Sequence, residues 1–387
     1  MRLSTPFILL KKSPCSFRIG EAISADHHAS AAEAGRYIVH RYFLPKGVRM
    51  LENSSRYNAP AVLTIAGSLI IALALGGMCR TSHDTRPLHT YSIVARDSVT
   101  GEMGVAVQSH WFSVGPVVAW ARAGVGAVAT QSLVLVSYGP LGLDLMEEGM
   151  SAPEALEKLL EEDPHSAVRQ VAMVDAQGNV AVHTGDSCIA YASDHTGRGY
   201  SVQANMMLTD SVVPAMAKAY ETTKGELVAR MLAALEAAQA AGGDIRGSQS
   251  AVILVVRGVA TDEPWADVVM DLRVEDNPHP VDELKRLVTM HRAYTFENLG
   301  DEAMAEGDLK AAMEAYGEAA KLAPDNLELV FWQGVSLINV GKDDEGIALL
   351  RGVVAKNANW KKLLERLPAS GLLRTTKERL DRILTAI

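Results

Sequence analysis

The residues whose types could do chemistry are few and unevenly placed. In the stretch "GGDIRGSQSA", Asp244, Arg246, Gln249 and Ser250 crowd between a helix-forming run and an apolar strand pattern. A turn-rich loop explains one or two such residues. Four together, able to donate, accept and carry charge of either sign, read as a substrate-binding wall. A second feature is "HTYSIVARD", where Thr90 puts a hydroxyl at the head of the first strand pattern, shortly after an uncharged run. Other familiar chemistries are missing or misplaced. The chain has no Cys-x-x-Cys or His-Glu-x-x-His spacing, so no metal site is readable and no cofactor is expected. "GVGAVA", from Gly124 to Ala129, satisfies a dinucleotide fingerprint, but "AVATQSLVLV" reads as strand where the fingerprint must open a helix. Cys188 in "TGDSC" has no readable histidine neighbour and reads as a small buried residue.

The elements that must position these residues follow from periodicity. "YSIVA", "MGVAVQS", "GPVVAWARAG" and "VGAVATQSLVLV" alternate as strands. The period then becomes helical across "YGPLGLDLMEEGMSAPEALEKLLEED", where Ser151, Pro153 and Glu154 mark a second helix start. A further cycle repeats the order. "VRQVAMVDAQGNVAVHTGD" is a hairpin and "YSVQANMM" a strand. A helical pair ending at Gly242 and Gly243 follows, and "QSAVILVVRG" and "ADVVMDLRVED" close the region. This order predicts two antiparallel sheets stacked face to face, each covered by a helix pair: a four-layer α/β/β/α sandwich over residues 89–275.

Composition narrows the partners. The chain of 387 residues has a formal net charge of −9, so it lacks the cationic excess that phosphates demand, and no nucleic acid is expected. Its three cysteines make a disulfide framework improbable. Residues 59–78, "APAVLTIAGSLIIALALGGM", are uncharged and long enough for a hydrocarbon core of about 30 Å. They predict a signal or membrane-anchor helix, preceded by a poorly defined extension (1–58) and followed by a linker (79–88). Lys46, Arg49 and Arg56 before the run place the remainder outside the cytoplasm, in the cell envelope or secreted after cleavage. "LGGMC" resembles a bacterial lipoprotein box, although Met78 stands where a small residue is expected.

The stretches "TYSIVARD", "GEMGVAVQSHWFSVG", "ARAGVGAVATQ", "YGPLGLDLMEEG", "RQVAMVDAQGNVAVHTGDSC", "YSVQANMM" and "AGGDIRGSQSA" closely resemble a bacterial family called domain of unknown function 1028. The resemblance covers about residues 89–258 and implies a fold similar to the N-terminal nucleophile (Ntn) hydrolases, whose chemistry uses the first residue of the mature chain. It implies Thr90 as nucleophile, its own α-amine as base, and an unknown peptide or small-molecule amide as substrate. Arg122 stands where the proteasome pattern has a lysine. Arginine can orient a carboxylate or carbonyl but cannot exchange protons as lysine can. No carboxylate occupies the matching place in "VAVQSHW", which leaves Ser109 to hydrogen-bond the amine. Backbone amides near Thr130, Gln131 and Gly139, where "YGP" starts a helix, are candidates for stabilising an oxyanion. Homo-oligomers are common in the wider fold group, which makes one an expectation here.

After "NPHPVDE" a linker and helix (276–295) lead to a helical region (296–387). Phe296, Leu299, Gly300, Ala303, Ala312, Tyr316, Ala319 and Pro324 fall on the spacing of a tetratricopeptide repeat, and a second repeat follows 34 residues later. Residues 371–386 predict a capping helix. Such a module implies binding of a protein or peptide partner. The leading expectation is an exported Ntn-type amidohydrolase with a partner-binding module. The alternative is a catalytically silent binding or scaffold protein with the same fold.

Overall fold

The computed structural model describes residues 90–387, and the expectations for the extension, the hydrophobic run 59–78 and the linker lie outside the described residues. Ten strands form two antiparallel sheets. β1 (Thr90–Arg96) and β2 (Met103–Ser109) form a hairpin paired from Thr90 with Ser109 to Arg96 with Met103. A short helix α1 (Gly115–Val118) precedes β3 (Ala119–Arg122), where the sequence reads as one continuous strand; Pro116 in the first turn favours the helix. β4 (Gly126–Ser132) stops before "LVLV", because Ser132 takes a positive φ of 69° and turns the chain out of the sheet.

Helices α2 (Tyr138–Glu147) and α3 (Ala152–Glu162) come next, and α3 opens with a reciprocal cap between Ser151 and Glu154, as "SAPE" predicts. β5 (Arg169–Asp175), β6 (Val180–Thr184), β7 (Ser193–Gly197) and β8 (Tyr200–Ala204) follow. β7, "SDHTG", escapes sequence reading because it is exposed and polar, an edge strand beside β8. Then come α4 (Val212–Thr222), α5 (Leu227–Ala240), β9 (Ser250–Val256) and β10 (Val268–Val274).

The larger sheet has the order β10-β9-β2-β1-β8-β7 and the smaller β3-β4-β5-β6. The pleat sends alternate side chains to opposite faces, and three cores result. Tyr91, Ile93, Val202 and Ile253 meet α4 and α5. Val128, Val171 and Met173 meet α2 and α3. Val94, Val105, Val107, Ala127, Ala129, Ala172, Val174 and Val252 meet between the sheets. This is the four-layer mixed α+β arrangement that the element order predicts.

The helix expected after the linker, within 276–295, starts at Pro280 and runs on without a break into the first repeat as α6 (Pro280–Glu306), 27 residues long. Val281, Leu284 and Val288 on its first half join the core beneath α5, while Met290, Ala293 and Phe296 pack with Ala319, Ala323 and Leu329 of the repeats. A continuous helix therefore carries one module into the next. α7 (Leu309–Leu322) lies close against α6, and only a glycine fits at the crossing: a Cβ on Gly300 would sit 2.3 Å from the Tyr316 ring. α8 (Leu327–Asn339) and α9 (Asp343–Lys356) form the second pair. Its core of Phe331, Val335, Ile338, Leu350 and Val353 is closed by α10 (Asn359–Leu364), α11 (Leu367–Ser370) and α12 (Lys377–Ala386), through Leu364, Leu367 and Ile383. α12 is the capping helix expected near 371–386. Among the described residues no helix is long and apolar enough to cross a membrane.

Candidate functional site

At the Thr90 end of the sandwich the space between the sheets turns from apolar to polar. Thr90, Ser109 and Ser250 stand side by side on adjacent strands of the larger sheet, since Thr90 pairs with Ser109 and Ser109 with Ser250. All three are fully buried and project between the sheets, on the parity of Val94, Val107 and Val252. Thr90 Oγ1 donates to Ser109 Oγ at 3.2 Å. Ser250 Oγ donates to the Trp111 carbonyl at 2.5 Å and accepts from the Val114 amide at 3.1 Å, which ties the loop after β2 to the head of β9.

Behind this row lies a network of buried amides. Gln131 Nε2 donates to the Thr90 carbonyl (3.3 Å) and to Gln170 Oε1 (2.7 Å), while its Oε1 accepts from Ser92 Oγ (2.6 Å). Gln203 Nε2 also donates to Ser92 Oγ (2.6 Å) and its Oε1 accepts from Ser201 Oγ (2.9 Å). Asn205 Nδ2 reaches Gln170 Oε1 (2.9 Å), and the Asn205 amide donates to the Thr90 carbonyl (3.1 Å). Gln170 Nε2 closes the set on Thr184 Oγ1 and the Ala204 carbonyl. An unpaired buried amide is costly, so the pairing fixes both the register and the spacing of the sheets around Thr90.

Loops from both sheets converge on this end. Those after β2, β4, β6 and β8 and the one before β9 all start beside the polar row. The three non-glycine residues with positive φ among the described residues, Ser113 (56°), Ser132 (69°) and Met206 (54°), all lie in or next to these loops. Strained backbone of this kind collects at functional sites. The loops are mutually bonded, through the Met206 amide on Ile189 O (2.8 Å), Ile245 N on Met206 O (3.2 Å) and Leu208 N on Gly243 O (2.9 Å).

The residues expected at the site divide into groups. Thr90, Ser109, Gln131 and Ser250 are brought together. Asp244 and Arg246 stand at the rim as an ion pair: Arg246 Nη2 and Nε donate to the buried Asp244 carboxylate at 2.7 and 3.0 Å. Asp244 also accepts from the His110 amide (3.3 Å), so the pair pins the loop to the end of β2. The buried negative charge adds to burial itself in pushing the Tyr91 phenol well above its usual range. The Gln249 amide bonds Ser109 O at 3.2 Å, but its side chain turns outward to Asp276.

The other three do not face Thr90. Arg122 pairs with Gly126 at the far end of β4, five residues or about 16 Å along the strand from Gln131. There its guanidinium bonds Asp144 (2.9 Å) and Glu147 (2.5 Å) on α2. Thr130 has the parity of Val128, toward the helix layer, and donates to the Leu135 carbonyl at 3.2 Å. The Gly139 amide is taken by Val136 O at 3.0 Å, so it offers nothing to an oxyanion; the glycine is needed because a Cβ there would meet the Trp120 ring at 2.3 Å. Cys188 donates to the Arg169 carbonyl (3.3 Å), and burial pushes its thiol up, the inert behaviour its surroundings predict.

Sequence reading missed Ser92, Gln170, Gln203 and Asn205. Their signal was present: in "RQV" and "SVQAN" a polar amide takes an inward place in an otherwise apolar strand. A single such residue looks like a strand end, and only the pairing of two sheets makes it one network.

Residues 90–284 match the sequence model of a family of unknown function, DUF1028, and residues 303–367 match a tetratricopeptide repeat model. No curated protein matches the chain. A crystal structure of a Silicibacter pomeroyi protein, described as DUF1028, is similar at 30% identity, over 52% of this chain and 84% of that one, with a TM-score of 0.46. The motif-bearing strands, the loops that converge on Thr90 and half of the chain fall within one family pattern, and the protein belongs to the DUF1028 family.

Proposed function

We propose that the Thr90 end of the sandwich is an amide-hydrolysing site of the N-terminal nucleophile type, exported by the run 59–78 and joined to a repeat module that binds a protein partner. One observation carries the reading: Thr90 heads a central strand with its hydroxyl between the sheets, 3.2 Å from Ser109 Oγ, where the loops of both sheets meet. The chemistry requires the bond between His89 and Thr90 to be cut. The freed α-amine, with an ordinary pKa near 8, then takes the proton of Oγ1 as the oxygen adds to the amide carbon. As the C–N bond breaks, that proton passes to the leaving nitrogen, and water hydrolyses the resulting ester. Ser109 holds Oγ1 in place, and the amide network behind the strand keeps Thr90 in register.

The test is the mature terminus. The full chain, expressed with its export signal, is expected to yield a species whose intact mass and terminal sequence begin at Thr90. A β-lactone, an acylating electrophile, is expected to modify that residue alone. A terminus elsewhere with Thr90 still in peptide linkage, or an adduct that persists in Thr90→Ala, overturns the reading. One observation favours a second reading, a silent binding protein: Arg122, the expected cation, is engaged by Asp144 and Glu147 at the other end of the sheet. The repeat module supports protein–protein interaction under either reading.

A further inference from the structure

Glu297 is the unusual residue of the repeat module. It lies on α6, is only 5% exposed, and its Oε1 is buried with no hydrogen-bond partner. On the same face, one turn away on either side, stand Tyr294 and Asp301, both exposed. α7 contributes Tyr316, whose hydroxyl donates to Asp301 at 2.7 Å. α8 contributes Ser336, which donates to the same oxygen at 3.1 Å, and Glu328, which accepts from the Tyr294 hydroxyl at 2.8 Å. The face thus holds three carboxyl groups, of which Asp301 and Glu328 accept from neutral donors alone and Glu297 has a buried oxygen with no donor. No ion pair of the repeat region includes Glu297, Asp301 or Glu328.

Several exposed or half-buried acids of the module have a cationic partner, which the buried Glu297 lacks. Asp343 takes both Arg379 and Arg382, Glu345 takes Lys342, and Glu318 takes Lys321. A carboxyl left buried without a donor opposes folding in either protonation state, so its presence beside two further acids points to a ligand that supplies the missing donor. No group of described residues is arranged to hold a metal ion, and a guanidinium or ammonium suits oxygens spread over two helices.

We propose that this face receives a lysine or arginine side chain from a protein partner, with the cation over Glu297 between Asp301 and Glu328. The proposal rests on the repeats being the interaction part of the chain and is independent of Thr90. Burial, with Asp301 adding to it, holds the free Glu297 carboxyl up at about 8, so binding must expel a proton below that pH. Affinity therefore rises with pH from 6 to 8 and then levels, by up to about tenfold per pH unit.

The test uses the full chain with 13C-labelled glutamate and aspartate carboxyls, titrated with methylguanidinium and, as its neutral shape match, methylurea. The signal lost in Glu297→Gln identifies the residue. Saturating methylguanidinium is expected to lower its titration midpoint from about 8 to about 7 or below, while methylurea leaves it in place. Asp301→Asn, at an exposed position, should weaken the effect at least about threefold, which keeps the test decisive if the Gln variant folds poorly. An unmoved midpoint, equal action of the two probes, or an unsaturable drift shared by all surface carboxyls removes the cation site and leaves repeat-mediated binding standing.

Discussion

Two buried polar places in this chain are built on opposite terms. Between the sheets, the amides of Gln131, Gln170, Gln203 and Asn205 find partners across four strands and both sheets. On α6, Glu297 is nearly as buried yet has one oxygen with no partner at all. The first arrangement is complete without a ligand and serves to position what stands in front of it, the row Thr90, Ser109 and Ser250. The second is incomplete without one. Buried polarity alone therefore does not mark a binding site; whether its hydrogen bonds close within the chain decides what it does.

The largest break in that comparison comes from opening the closed network. Gln170→Leu removes the acceptor shared by Gln131 and Asn205 and the donor to Ala204 O, leaving several polar atoms buried and unpaired. At about 1–3 kcal/mol for each orphaned group, partly relieved by rearrangement, the expected loss is about 3–5 kcal/mol in denaturant unfolding. A loss below about 1 kcal/mol means that the network is slack and does not position Thr90.

Filling the open place should act in the other direction. The Glu297 carboxyl is raised from 4.5 to about 8, so the folded chain binds more protons than the unfolded chain across that window, and stability falls as pH rises through it. Glu297→Gln abolishes that slope. The variant should match the parent in unfolding free energy near pH 5 and exceed it near pH 8, by about 1–3 kcal/mol, with a correspondingly higher melting temperature there. A parent whose melting temperature is as flat as the variant's between those values has a carboxyl paired in solution.

How far the sequence foretold these places differs for the same reason. Alternation at period two placed β1, β2, β4, β5, β8 and β9, because each turns at least one apolar face to a core, β1 and β8 chiefly the face toward α4 and α5. Thr90 and Ser109 were legible as hydroxyls at strand ends, and "GGDIRGSQSA" as a rim. Arg122 was misplaced because its spacing from Thr90 says which strand it sits on and nothing about which end. Glu297 could not be singled out at all. Within "YTFENLGDEAM" it is one acid among three, and its burial depends on α7 and α8 arriving from elsewhere in the chain.

Ser109→Ala tests the link between the network and Thr90 on a smaller scale. It removes the hydroxyl that Thr90 Oγ1 addresses, at an expected cost of about 0.5–1.5 kcal/mol. Labelling of Thr90 by the β-lactone should slow while the final stoichiometry holds. Unchanged kinetics would leave Ser109 as packing only.

The smallest effect should come from Arg122→Ala, and for that reason it separates the two ends of the sandwich. Arg122 is about one-third exposed and its carboxylate partners more so, a pair of surface bridges worth about 0–1 kcal/mol together. High salt should weaken that contribution, since the Debye length falls from about 10 Å at 0.1 M to about 3 Å at 1 M ionic strength, comparable to the contact distances. Labelling of Thr90 should not change, because Arg122 is separated from Gln131 by most of the length of β4. A Thr90 labelling rate that falls tenfold or more in Arg122→Ala, with stability intact, would mean that charge at the far end governs the reactivity of Thr90, and the amide network would no longer suffice to explain how Thr90 is held.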